Sequence, residues 1–124
     1  MLILIDTSAF LAILNKEDNN HSTAKKLWHE LLHSESVFIS NNYILVESFA
    51  LIQRRLGMEA VRVFQEDIVP LINIEWIDKE THKSGMSALL ASSKRKLSLV
   101  DCVSFETMRT LGIKTVFACD SHFA

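Results

Sequence analysis

Short apolar runs alternate along the chain with longer segments whose apolar residues recur at helical spacing. The runs predict four strands, at residues 2–5, 37–39, 72–76 and 114–119. Between them, apolar positions three and four residues apart predict helices. Strands that alternate with helices are typical of a parallel sheet with helices on its faces. The pattern therefore predicts an α/β fold.

The predicted helices begin and end at recognisable signals. N-cap residue types at positions 6–8 precede a helix that continues to Leu14. A second cap at positions 40–42 precedes a long helix that ends at Leu56, where Gly57 follows. The other predicted helices are at residues 21–33, 58–68, 78–92 and 99–111.

Composition narrows the class of protein. The 124 residues are 48% hydrophobic and 23% charged, which is typical of one soluble domain, here spanning 1–124. Only 3 glycines and 1 proline are present, which disfavours an all-β sandwich or barrel. The net charge of −2 excludes a globally basic nucleic-acid coat and allows a local basic patch.

Cysteine usage and hydropathy indicate a cytoplasmic setting. Cys102 and Cys119 form no CxxC motif, and two cysteines are too few for a disulfide scaffold. The N-terminus has no basic region before its apolar run, so a signal peptide is not expected. No apolar stretch approaches the roughly 18–20 residues of a membrane span, and no membrane association is expected.

Four carboxylates stand apart from the other acidic residues. Asp6 and Asp120 each follow a predicted strand, at the edge where parallel sheets build their sites. Asp101 opens a predicted helix. Glu47 has apolar or aromatic neighbours at helical spacing on both sides, so we expect it on the stripe that faces the core. Burial there requires a cation, a metal ion or water beside it.

Each of these residues also has a purely structural interpretation. Asp6 is a suitable N-cap, and Asp101 lies three residues after Ser98, which is capping-box spacing. Asp120 is a suitable turn residue. Glu47 at the edge of the stripe would reach solvent.

The set of four favours a metal site. A doubly wound sheet can bring the four carboxylates to one edge, where they would repel one another. Hard divalent cations neutralise such a cluster, and all-oxygen ligands favour Mg²⁺ or Mn²⁺. Such ions activate water and stabilise charge in phosphodiester displacement. The residues thus predict metal-dependent phosphoryl transfer or nuclease chemistry.

Four stretches, in this order and spacing, resemble the PIN-domain nucleases, and among them the VapC-type toxins of toxin–antitoxin pairs. They are LIDTSAF at 4–10, VE at 46–47, LSLVDCVSF at 97–105 and FACDSHF at 117–123. The resemblance covers essentially the whole chain. Family chains usually continue through another short element, so a cropped or short C-terminus is expected here.

The resemblance implies a PIN-like three-layer α/β/α sandwich with a mostly parallel sheet and Mg²⁺- or Mn²⁺-dependent endoribonuclease activity. It implies that Asp6 and Asp101 bind metal, that Glu47 holds or activates the attacking water and that Asp120 ligates or orients. The Ser8 hydroxyl would support the site. An RNA substrate, a small antitoxin and a homodimer are the implied partners.

Basic residues near these positions are candidates for RNA binding. Lys94, Arg95 and Lys96 precede Asp101, and Arg54 lies two turns after Glu47. Each could hold RNA phosphates. A solvated loop and a surface arginine are the structural alternatives.

Two other functions remain open from the sequence. A haloacid-dehalogenase-type phosphatase also begins with a strand ending in Asp, but it needs a second Asp where Ser8 stands. A catalytically silent PIN-like module that binds RNA or a partner is the other alternative.

Overall fold

The computed structural model describes residues 1–119 and contains one parallel sheet in that range. Its strands are β1 (Leu2–Ile5), β2 (Val37–Asn41), β3 (Asn73–Glu75) and β4 (Thr115–Phe117). Their order is β3-β2-β1-β4, and every pairing is parallel. Because β1 is central, Leu4 pairs with both Ile39 and Val116.

Six α-helices accompany the sheet in the described part of the chain. They are α1 (Thr7–Leu14), α2 (His21–Leu32), α3 (Asn42–Leu56), α4 (Met58–Val63), α5 (Lys79–Ala91) and α6 (Leu99–Leu111). Helices alternate with strands as the apolar pattern predicted, and the three-layer α/β/α architecture is confirmed. No helix of residues 1–119 is long and apolar enough to cross a membrane.

The prediction of one regular helix over 58–68 is wrong. The α-helix ends at Val63 and is followed by a π-helical turn at Phe64–Ile68 and a 3-10 turn at Val69–Leu71. Pro70 cannot continue an α-helix because it lacks a backbone N–H. Phe64 and Ile68, the first and last residues of the π-helical turn, are both buried in the core.

The core lies against both the sheet and the helices. Ile3, Leu4 and Ile5 of β1 are almost fully buried, as expected for a central parallel strand. Phe64 packs edge-to-face on Phe10, with ring centroids 4.9 Å apart. The core therefore fixes β1 and the start of α1, the two elements that flank Asp6.

Close packing also fixes α6 against α5. A Cβ atom at Gly85 of α5 would lie 2.6 Å from Val103 Cγ2 of α6. The missing side chain at Gly85 thus lets α6 approach, two residues from Asp101.

Candidate active site

Asp6 lies where β1 meets α1, at the carboxyl edge of the sheet. Its backbone N–H donates to Phe117 O across 3.0 Å, so the ends of β1 and β4 are adjacent. Its carboxylate caps α1, because Asp6 Oδ2 accepts from the backbone N–H of Ser8 at 3.2 Å and from Ser8 Oγ at 2.8 Å. Asp6 is buried, with 6% exposure.

Asp101 lies in the first turn of α6 and forms a reciprocal capping box with Ser98. Asp101 Oδ2 accepts from the backbone N–H and the hydroxyl of Ser98, each at 3.0 Å, and Ser98 Oγ accepts from the Asp101 N–H at 3.1 Å. The structural interpretations of Asp6 and Asp101 as caps are therefore confirmed. A carboxylate accepts about four hydrogen bonds, so capping and cation binding are compatible.

Glu47 lies beside the buried row of α3 and not on it. That row is formed by Ile44, Ser48 and Ile52. Glu47 is half-buried, so the expectation that it faces the core is corrected to the edge of the core-facing stripe. This position turns the carboxylate toward a cleft in place of the apolar interior.

Buried polar contacts join the elements that carry the three carboxylates. The hydroxyls of Thr7 and Ser48 lie 2.9 Å apart and connect α1 to α3, next to Asp6 and Glu47. At the end of β2, Asn41 Oδ1 accepts from Ile44 N–H at 2.8 Å and so caps α3.

The same Asn41 side chain also reaches α6. Its Nδ2 lies 3.3 Å from the hydroxyl oxygens of both Ser104 and Thr107. One buried amide thereby holds the helix of Glu47 and the helix of Asp101 in a fixed relation.

Asp6, Glu47 and Asp101 line one cleft of about 330 Å³. The three carboxylates come from three separate parts of the chain, and the fold brings them together. Asp120 lies outside the described residues. Within the described residues, the lining comprises Asp6, Thr7, Ser8, Leu11, Glu47, Leu51, Arg55, Lys96, Ser98 and Asp101.

Two basic side chains from the described part of the chain share this cleft with the carboxylates. Lys96 is one of the predicted basic residues, and Arg55 was not singled out from the sequence. Lys94, Arg95 and Arg54 are exposed and do not contribute to the lining.

Arg55 belongs to the cleft because of helix geometry. Glu47, Leu51 and Arg55 follow one another at four-residue intervals along α3 and all line the cleft. Rows of residues four apart are inclined to the helix axis, so a groove along such a row leaves out residue i+7, here Arg54. The i, i+4, i+8 spacing was the signal available in the sequence.

The donor chemistry of the cleft fits a hard divalent cation. The anionic groups that residues 1–119 contribute to the cleft are carboxylates, and the hydroxyls of Ser8 and Ser98 adjoin Asp6 and Asp101. Among residues 1–119, no three His, Cys, Asp or Glu side chains form a compact group that could hold a metal ion. The described carboxylates thus share a cleft without closing into a complete coordination shell.

Cys119 ends the described chain close to this site. Burial, followed by the negative charges of Asp18 and Asp6, raises the pKa of its thiol. A second cavity, of about 310 Å³ between α2 and β4, is also lined by Cys119, and its lining within residues 1–119 includes no acidic side chain. The carboxylate cleft is therefore the better candidate for chemistry.

Comparison with known proteins finds one family model and named relatives that match nearly the whole chain. The PIN domain family model matches residues 3–124. Relatives from Mycobacterium tuberculosis strains CDC 1551 / Oshkosh and ATCC 25618 / H37Rv, each named 23S rRNA-specific endonuclease VapC20, are 31% identical over 124 residues. The alignments cover 99% of this chain and 92% of each relative.

A solved structure agrees with the sequence relatives. The crystal structure of Mycobacterium tuberculosis VapC20, described as a Sarcin-Ricin loop cleaving toxin, has a TM-score of 0.87 and 30% sequence identity to this chain. The match covers 98% of this chain and 92% of the VapC20 chain. The resemblance predicted from the four sequence stretches is confirmed.

Proposed function

Because the chain belongs to the PIN domain family, we propose that it is an endoribonuclease that requires Mg²⁺ or Mn²⁺ and acts at the carboxylate cleft. The observation that carries this proposal is the shared cleft of Asp6, Glu47 and Asp101, which come from three separate segments. A phosphodiester is anionic, so a cleft of carboxylates can accept it only with cations present.

In this proposal Asp6 and Asp101 hold the metal ion, and Asp120 ligates it or orients its shell. The ion, when bound, polarises the phosphate and lowers the pKa of water. The caps hold both Asp carboxylates in place, and the Ser8 hydroxyl fixes Asp6 through a 2.8 Å hydrogen bond.

Glu47 is proposed to orient the attacking water and to accept its proton. The water oxygen forms a bond to phosphorus while the bond between phosphorus and the leaving nucleotide oxygen breaks. A half-buried carboxylate on the cleft wall is suited to this role because it contacts both the cleft and solvent.

Cations at the cleft are proposed to bind RNA phosphates. Lys96 and Arg55 line the cleft and would contact phosphates near the cut. Lys94, Arg95 and Arg54 are exposed and would contact RNA phosphates further from the cut. Each such contact would add to the salt dependence of RNA binding.

The relatives suggest the first substrate and partners to test. VapC20 is named for 23S rRNA, so we propose ribosomal RNA as the substrate class here. We further propose a small antitoxin that covers the cleft, a homodimer and a cytoplasmic location.

Cleavage of RNA by the purified protein tests the proposed function. Total cellular RNA and isolated 23S rRNA are incubated with Mg²⁺ or Mn²⁺, with EDTA, and with the Asp101→Asn variant. We expect discrete cuts that require both the metal and Asp101. RNA binding without cuts in either metal would favour a silent binding module, and rapid hydrolysis of a simple phosphomonoester would favour a phosphatase.

A further inference from the structure

A hollow of about 350 Å³, separate from the cavity beside Cys119, adjoins the carboxylate cleft. It lies between the first two turns of α3 and the first turn of α6 and is lined by Asn42, Tyr43, Val46, Glu47 and Val100. Glu47 lines both the hollow and the cleft. The two depressions are therefore neighbours that share one wall.

The two valines that line the hollow are sequence neighbours of candidate catalytic residues. Val46 directly precedes Glu47 and Val100 directly precedes Asp101. Successive helical residues point about 100° apart, so the carboxylates face the cleft while the valines face the adjoining surface. Val46 is 71% exposed, so the hollow presents an apolar side chain to water.

The polar rim of the hollow is held in place. The Tyr43 hydroxyl and His82 Nδ1 form a hydrogen bond between α3 and α5. Asn42 Oδ1 accepts from the Ile77 N–H at 2.7 Å. An aromatic ring and a carboxamide are thus fixed beside the two valines.

We propose that this hollow receives an unstacked nucleobase next to the scissile phosphate, an inference that rests on the proposed nuclease function. A nucleotide joins an anionic phosphate to a flat apolar base with a polar edge. The cleft offers Arg55 and Lys96 to the phosphate, and across Glu47 the hollow offers Tyr43 and Val46 to the base. Single-stranded RNA is commonly bound in this way, with bases on aromatic and apolar side chains.

A double-mutant cycle between protein and RNA tests the proposal. Short RNAs that span a mapped cut site, or a protected site mapped by footprinting in Ca²⁺ if no cut occurs, are made intact and with one abasic nucleotide at each flanking position. They are compared on wild type, on Val46→Ser and on Leu90→Ser, a matched control whose leucine is 78% exposed in α5 and outside both linings.

One abasic position is expected to lower kcat/KM of the wild type about tenfold. Val46→Ser is expected to lower kcat/KM on intact RNA about fivefold, mainly through KM, and to lose most of its sensitivity to that abasic position. Leu90→Ser is expected to behave as wild type. Equal base sensitivity in all three proteins would overturn the inference while leaving the nuclease intact.

Dissociation constants for the same RNAs, measured with Ca²⁺ in place of Mg²⁺, allow the same double-mutant cycle to be measured for binding alone. Wild type that binds with the expected base dependence but never cuts would support the hollow and refute the proposed activity. If Val46→Ser weakens capture of a protein partner and changes no RNA parameter, the hollow binds protein and the inference is wrong.

Discussion

The backbone N–H of Cys119 donates to the Ser8 hydroxyl across 2.9 Å, although 111 residues separate the two along the chain. Ser8 Oγ in turn donates to Asp6 Oδ2 at 2.8 Å. One hydroxyl therefore connects the exit of β4 to a candidate metal ligand.

Removing this hydroxyl is expected to affect both stability and activity. Ser8→Ala leaves the Cys119 N–H without its acceptor, and we expect a loss of about 1–2 kcal/mol in the free energy of unfolding, measured in urea. Cleavage should fall because Asp6 loses its hydroxyl donor. Ser8→Thr retains a hydroxyl and should recover most of both, and exposed Ser87→Ala is the neutral control. Full activity in Ser8→Ala would remove Ser8 from the site.

The two roles of Asp101 can be separated by two variants. Both Asp101→Asn and Asp101→Ala should reduce cleavage about 100-fold or more, because the proposed ligand is gone. Asn can still accept from Ser98, so only Ala should lose the capping contribution of about 1 kcal/mol. Thermal melting in EDTA measures the difference. Equal melting temperatures for the two variants would mean that the capping box contributes little.

Adjacent arginines offer a matched pair for the RNA path. Arg55 lines the cleft and Arg54 does not. Arg55→Ala should weaken RNA binding and reduce the slope of log K against log salt by about 1, whereas Arg54→Ala should have a smaller effect at low salt only. Lys96→Ala and Lys94→Ala provide the same comparison on the other wall. Identical slopes for the members of each pair would contradict a phosphate contact inside the cleft.

The contact between Gly85 and Val103 predicts an unusual response to alanine. In an exposed helix, Gly→Ala stabilises by about 1 kcal/mol. Here the new Cβ would lie 2.6 Å from Val103 Cγ2, so Gly85→Ala should destabilise by about 1–3 kcal/mol and displace the helix of Asp101. Adding Val103→Ala should restore part of the loss. Simple additivity in a urea-melting cycle would show that the helices adjust without strain.

The Cys119 thiol should stay protonated to a higher pH in the folded protein than in the unfolded chain. Burial and the charges of Asp18 and Asp6 raise its pKa above the ordinary 9.0. Iodoacetamide should therefore label it more slowly at pH 8.5 in buffer than in urea. The unfolded chain ionises first as pH rises, so this thiol's contribution to stability is complete below pH 9.0 and is lost as pH rises through the folded pKa. Equal labelling rates would contradict the shift.

Much of the fold could be predicted because its signals are local. Strong caps and terminating glycines gave the bounds of α3 and α6 almost to the residue. The segment after Val63 was misjudged because Phe64 and Ile68, four residues apart and both buried, also fit the spacing of a regular α-helix. The apolar pattern therefore does not distinguish the π-helical turn from a continued α-helix.

The candidate site was predictable in its carboxylates but not in its surroundings. Asp6 follows an apolar strand, and Asp101 follows the N-cap residue Ser98. Both signals can be recognised in the sequence. Arg55 belongs to the cleft only because the groove follows an inclined row of α3, and that direction depends on how α1 and α6 pack. The assignment of metal, water and RNA roles to these residues stays a prediction.

Asp6 and Asp101 take part in helix capping and are also the proposed metal ligands. This combination determines which variant is best for isolating a complex with uncut RNA. Replacing either residue by alanine removes a proposed metal ligand and a capping acceptor together, so a silent protein could also be a misfolded one. Glu47 lies in the middle of α3 and caps no helix. Glu47→Gln is therefore the substitution of choice for trapping uncut RNA on an otherwise native protein.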